Sequence, residues 1–191
     1  MKEKINVFEY SREILEALNK GILITSKYED KVNTMTISWG ALGIEWSKPM
    51  FTIYVREHRF TKSLLDKNPE FTVNVPLGDY DKKIVGLAGV KSGRDMDKIK
   101  ELGLTLEEPE TISVPGIKEF PLTLECRVVY KQQQESEMLL PEYNEKFYPQ
   151  DVDGLFHGAN KDYHVMYFGE IVDAYIIRRG CRLRFARKPF Q

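Results

Sequence analysis

The chain has 191 residues, 42% hydrophobic and 12% aromatic, which suffices for one domain with a substantial core and argues against two full domains. Its 28 Lys and Arg nearly balance 29 Asp and Glu, so no overall field gathers nucleic acid or anionic lipid. Three histidines without helical zinc spacing and two distant cysteines, Cys126 and Cys181, argue against a metal centre, a disulfide framework and a CxxC redox motif.

The first twenty residues are charged throughout and lack the apolar core of a signal peptide, and no later run reaches the length of a membrane span, so the expected location is the cytoplasm. From about Phe8, the spacing of Ile14, Leu15 and Leu18 predicts a short helix that Gly21 stops. Four runs rich in β-branched and aromatic residues follow, "GILITS", "NTMTISWG", "FTIYVRE" and "FTVNVP", with "YEDK" and "SKP" as turns. In "NTMTISWG" (33–40), alternation sets Thr34, Thr36 and Ser38 on one face and Met35, Ile37 and Trp39 on the other. "TKSLLDKN" predicts a two-turn helix ending at Asn68, before Pro69.

"YDKKIVGLAG" and "RDMDKIKELG" predict two more helical pieces, and a Pro-rich connection runs from Pro109 to Pro121. The strand signal returns in "LTLECRVVYK", in "YHVMYFGEIVDAYII" and, after a turn at Arg179 and Gly180, in "CRLRF". Because strands do not alternate with crossover helices, the expected fold is mainly β with peripheral helices: a Greek-key, barrel-like antiparallel sheet forming a single domain over 1–191. A polar segment at about 132–162, containing "LLPEYNEKFYPQ", is longer than a core connection requires.

No Gly-x-Gly, GxxxxGK[ST] or GxSxG string occurs, which removes the dinucleotide fingerprint, the P-loop and the nucleophile elbow. "REHRFTKS" places Arg56, His58, Arg59, Thr61, Lys62 and Ser63 after a strand and at a helix start, where free backbone N–H groups and arginine forks suit a phosphate. The competing reading is a solvated turn in which Thr61 only caps the helix.

"NTMTISWG", "REHRFTKSLLDKNPEFTVNV", "SGRDMDKIKELGL" and "YHVMYFGEIV" occur in the order and rough spacing of the flavin reductase-like FMN-binding split-barrel proteins, which include flavoredoxin, and the chain resembles that family from about Gly21 to Ile177. The resemblance implies a split barrel holding noncovalent FMN. Thr36, Ser38 and Trp39 would lie at the flavin ring, and Arg56, Arg59 and Thr61 would grip the ribityl phosphate. Ser92, Gly93, Arg94 and Lys98 would belong to a closing loop, unless that segment is only a surface helix capped by Asp95. Asn33, Thr34, Met35, Ile37 and Phe60, within the same motifs, and Val55, directly before the second, complete the implied cofactor-binding set.

His164 would border the nicotinamide or substrate pocket as the candidate catalytic residue, its alternative being a structural histidine. The implied activity is NAD(P)H-dependent flavin reduction, with an FMN electron carrier of the flavoredoxin kind or a passive FMN-binding module as alternatives. The resemblance also implies a homodimer, which the alternation of Cys181, Leu183 and Phe185 with Arg182 and Arg184 supports. Family members have a much shorter link where this chain has 132–162. That segment is either a lid over the flavin or an outward extension of a dimer surface.

Overall fold

The chain enters through a short strand, β1 (Lys2–Lys4), and a 3-10 turn whose N-cap Asn6 accepts the Phe8 N–H, then forms helix α1 (Ser11–Leu18). Ile14 and Leu18 are the buried residues of α1, and Gly21 follows at φ +105°, a conformation that L side chains avoid. The computed structural model describes residues 1–178. The expected Arg179–Gly180 turn and "CRLRF" strand lie outside the described residues.

Two hairpins come next: β2 (Ile22–Tyr28) with β3 (Lys31–Ile37), then β4 (Gly40–Glu45) with β5 (Lys48–Arg56). Sequence reading missed β1 and β4; the "ALG" centre of β4 carries little strand propensity, and the expected "SKP" turn actually runs from Trp46 into the start of β5. After α2 (Phe60–Leu65) and β6 (Glu70–Val75) come α3 (Lys82–Val90) and a single turn, α4 (Lys98–Glu101). The Pro-rich connection carries a two-residue ladder, β7 (Leu106–Glu107) with β8 (Gly116–Ile117). The long strands β9 (Leu122–Gln133) and β10 (His164–Ile177) flank the insertion, which contains helix α5 (Pro141–Phe147).

The main sheet has the order β3-β2-β6-β9-β10-β5-β4, with β1 also on β10, and every pairing is antiparallel. Its outermost strands, β3 and β4, are neighbours in sequence, separated only by Ser38 and Trp39. Three peptide steps span at most about 11 Å, so the sheet must curl until its two edges meet at that point. The result is the expected mainly-β barrel. Phe51, Ile53, Phe71, Val73, Leu124, Cys126 and Tyr167 fill its interior, and Ile14 and Leu18 of α1 join this core. Gly169 lies at a register shift of β10, where a Cβ would come within 2.5 Å of the Phe71 ring.

The two-residue turn between β4 and β5 holds Trp46 at φ 50° and Ser47 at φ 60°, a left-handed pair normally given to Asn and Gly. Replacing Ser47 with glycine relieves part of this strain. Ser47→Gly is expected to raise stability by about 1 kcal/mol, read by chemical denaturation.

Candidate functional site

A cleft runs along the outer side of the β3 end, between that strand and the insertion. It consists of a tight cavity of about 40 Å³ and a wider one of about 230 Å³, and Met35 and Arg59 line both. Among the described residues, no Asp or Glu lines either cavity.

The tight end is cationic. Arg59 is the N-cap of α2, and the Thr61 hydroxyl accepts the Asn33 amide N–H at 2.9 Å. Across from them, residues 92–94 form a turn in which Arg94 N–H donates to Ser92 Oγ (3.1 Å) and the Arg94 guanidinium donates to the His58 carbonyl (2.8 Å). Gly93 is required for that close approach, since a Cβ there would fall 2.1 Å from Asn33 Oδ1. Lys98 is 4% exposed, and its ammonium donates to the carbonyls of Thr34 (3.0 Å) and Ala88 (2.8 Å). An ammonium has three protons, and the third finds no acceptor among the described residues. Burial, with the nearby Arg59 charge, brings the group down to about 8. A buried cation without a carboxylate partner, close to the Arg59 charge, is a place where an anion would be stabilised.

The wide end is aromatic. Trp39, at the joint between the two sheet edges, meets Phe147 edge-on at 5.2 Å and the His164 ring at 5.1 Å, and Tyr54 lines the same wall. Thr36 contributes to this wall while its hydroxyl donates to the Val85 carbonyl of α3 at 2.6 Å. Burial, and then the charges of Arg56 and Arg59, push His164 down to about 3, so its imidazole is neutral at ordinary pH.

The 132–162 segment supplies the third wall: Gly154 and Leu155 line the tight cavity, and Phe147, His157, Gly158 and Ala159 line the wide one. Arg56 fastens it. One arm of its guanidinium donates to the Asn160 carbonyl and side-chain oxygen, both at 3.2 Å, and to the Asp162 carbonyl; the other donates to the Phe147 carbonyl at 3.0 Å. Asp162 Oδ2 accepts the His58 backbone N–H (3.0 Å) and pairs with His58 Nδ1 (2.6 Å), while Arg59 donates to the His157 carbonyl (3.0 Å). Burial lowers the Arg56 pKa, and no carboxylate forms an ion pair with its guanidinium among the described residues.

Several sequence expectations change. Arg56 borders the wide cavity, but most of its recorded hydrogen bonds go to carbonyls of the 132–162 segment. Val55 is sealed in the core and lines neither cavity; strand alternation sends Tyr54 and Arg56 to the cleft instead. The β3 hydroxyl face is divided: Thr34 is fully buried and donates to the Ile24 carbonyl, whereas Thr36 and Ser38 reach the wide cavity beside Met35 and Trp39. Thr36, Ile37 and Ser38 border the wide cavity, and Phe60, Thr61, Ser92, Gly93, Arg94 and Lys98 border the tight one. Thr61 does not cap α2, which starts one residue earlier. The α4 cap is Asp97, whose side chain accepts the Lys100 N–H, and not Asp95.

Sequence reasoning missed Tyr54, Phe147, His157, Gly158 and Ala159. Tyr54 was available from the period of two that selects Arg56. The insertion residues carried only a weak signal, the aromatic density of "EYNEKFYP" in a polar stretch.

Residues 19–190 match the family described as flavin reductase like domain. The chain is 36% identical over 127 residues to an uncharacterized protein of Archaeoglobus fulgidus, spanning 66% of this chain and 67% of the relative. Among solved structures, the flavoredoxin of Desulfovibrio vulgaris superposes with a TM-score of 0.60 at 22% identity, covering 82% of this chain and 69% of that one. Nitrilotriacetate monooxygenase component B from Bacillus cereus superposes at 0.61 and 18% identity, covering 91% and 81%. The matched span and the split-barrel fold agree: the chain belongs to the flavin reductase like domain family.

Proposed function

We propose that the cleft binds FMN noncovalently and that the protein is an NAD(P)H-dependent flavin reductase or a closely related FMN oxidoreductase. The observation that carries this reading is the union, on one strand, of an acid-free cationic cavity containing the unpaired Lys98 ammonium with an aromatic-lined slot. Together they suit a flat ring bearing a phosphate tail. Arg59, Arg94, Lys98 and Thr61 would hold the phosphate, and Met35, Thr36, Ser38 and Trp39 would line the ring. When bound, the flavin supplies hydride acceptance at N5, while the protein supplies position and a water-poor wall. Phe147 and His157 exclude solvent from above, and His164 borders the space where the reacting partner sits.

A flavoredoxin-like electron carrier is the second reading, since it would use the same FMN cleft without a nicotinamide partner. Rapid anaerobic mixing of the FMN-loaded protein with NADH and NADPH separates them. Bleaching at a catalytically useful rate supports the reductase; no bleaching with either nucleotide leaves the carrier or a passive FMN-binding module.

The phosphate placement has its own test. Arg59→Ala is expected to weaken FMN by about 1.5 to 3 kcal/mol while leaving riboflavin, which lacks the phosphate, nearly unaffected. Equal losses for both ligands in parallel titrations would show that the phosphate lies elsewhere.

Part of the same proposal is a homodimer in the cytoplasm. The sheet edge β4 exposes Ile44 and the adjoining turn exposes Trp46, an apolar rim suited to a second copy. A monomer mass by light scattering at micromolar concentration would overturn it. Among the described residues, no helix is long and apolar enough to cross a membrane.

A further inference from the structure

His164 opens β10 opposite Gln134. The Gln134 N–H donates to the His164 carbonyl at 2.9 Å, and the His164 N–H donates to Gln134 Oε1 at 3.2 Å. The second bond fixes the amide: rotated by half a turn, Gln134 would set its NH2 against a backbone N–H. The Tyr148 hydroxyl lies 2.7 Å from that same Oε1 and 2.8 Å from His164 Nδ1. An amide oxygen only accepts, and a phenol owns one proton. Tyr148 therefore donates to Gln134, and Nδ1 must be the atom that donates to the Tyr148 oxygen.

A neutral imidazole has a single N–H. With that proton on Nδ1, Nε2 presents a lone pair. Nε2 makes no hydrogen bond among the described residues, nor is it one of the sealed, unpartnered side-chain atoms, which are Ser26 Oγ, Thr123 Oγ1 and the Tyr175 hydroxyl. The ring borders the wide cavity beside Trp39. Tyr148 is held in turn: it is 4% exposed, stacks on Tyr163 at 4.7 Å and 20°, and lies under the Arg56 guanidinium at 5.0 Å. The doubly protonated ring, which would donate from both nitrogens, is opposed by burial and by two arginine charges.

We propose that Tyr148 and Gln134 lock His164 as a one-way hydrogen-bond acceptor, so that the cleft selects a reacting partner presenting an N–H or O–H there, such as a primary carboxamide. Tyr148 belongs to the 132–162 segment, so that segment sets the specificity of the cleft. Tyr148 and Gln134 are positioning residues, acting through His164. The selectivity half of the proposal rests on the reading of the wide cavity as the place where that partner binds; the tautomer half does not.

The tautomer is measured on the cofactor-free chain by two-bond nitrogen–proton correlation with labelled histidine. The expected spectrum shows His164 protonated at Nδ1. Tyr148→Phe, which keeps the stacked ring, is expected to move the proton to Nε2 in a substantial fraction of molecules with only a small change in melting temperature. A wild-type proton on Nε2, or an unmoved tautomer in Tyr148→Phe, overturns the lock.

Selectivity is read in the FMN-loaded protein with nicotinamide, whose amide donates, and 3-acetylpyridine, whose ketone only accepts. Nicotinamide is expected to bind on the order of tenfold more tightly, as for one hydrogen bond lost against a buried acceptor, with the preference gone in Tyr148→Phe. Equal binding of both probes, or binding of neither, overturns the selectivity. A chain that fails to bind FMN overturns the cofactor reading instead and leaves the tautomer result standing.

Discussion

Arg56→Met is expected to release the insertion from the barrel while the rest of the fold persists. The methionine keeps most of the aliphatic stem but donates nothing, leaving the carbonyls of Phe147, Asn160 and Asp162 without partners in a dry place. Each buried acceptor left unpaired costs about 1 to 3 kcal/mol, so undocking the segment to hydrate all three is the cheaper response. Hydrogen exchange should lose its protection across 147–162 and remain unchanged in β6 and β9, with a fall in global stability of about 3 kcal/mol. Arg56→Lys should rescue little, because one ammonium cannot serve acceptors on both sides of a planar fork. Full protection of 147–162 in Arg56→Met would show that the insertion is held by its packing and not by the arginine.

Lys98 gives the second large effect, and its sign follows from burial. Its pKa falls from 10.5 in the unfolded chain to about 8 in the folded one, so between those values the unfolded state binds the extra proton. Stability of the cofactor-free protein therefore rises with pH across that window, by about 3 kcal/mol from this group alone. Lys98→Met should show no such rise, and a wild-type denaturation series that parallels the variant between pH 7.5 and 10.5 would sink the assignment. An anion seated beside the ammonium favours its charged form. Under the proposed reading, FMN affinity should drop on the order of tenfold between pH 7.5 and 9.5, with riboflavin affinity flat.

Much of the fold was legible because its signals are local. β-Branched residues marked β2, β5, β6, β9 and β10, and "REHRFT" announced an anion end from charge and chain position alone. What failed was whatever depends on a distant partner. Arg56 and Arg59 look alike in the sequence, and only the insertion, folded back from about a hundred residues later, takes one and leaves the other largely free. Thr34 and Asn33 are likewise neighbours on a strand whose inner and outer faces are set by β2 and α2, not by the hydroxyls themselves. The insertion was hardest to read, since polar residues carry no period, and its order comes from carbonyl contacts that any sequence can make.

The two-residue joint at Ser38 and Trp39 also has a kinetic meaning. The hairpins on either side of it close turns of two residues each and can form within microseconds, independently of one another. The cleft needs β10 laid against β5, where His164 faces Arg56 from about 108 positions away, and that pairing must wait for loop closure over more than half the chain. Refolding followed by Trp39 fluorescence, in a chain carrying Trp46→Phe, should thus lag behind far-ultraviolet recovery of the hairpins. The cleft rim should be the last part of the barrel to assemble and the part exposed longest to mispairing.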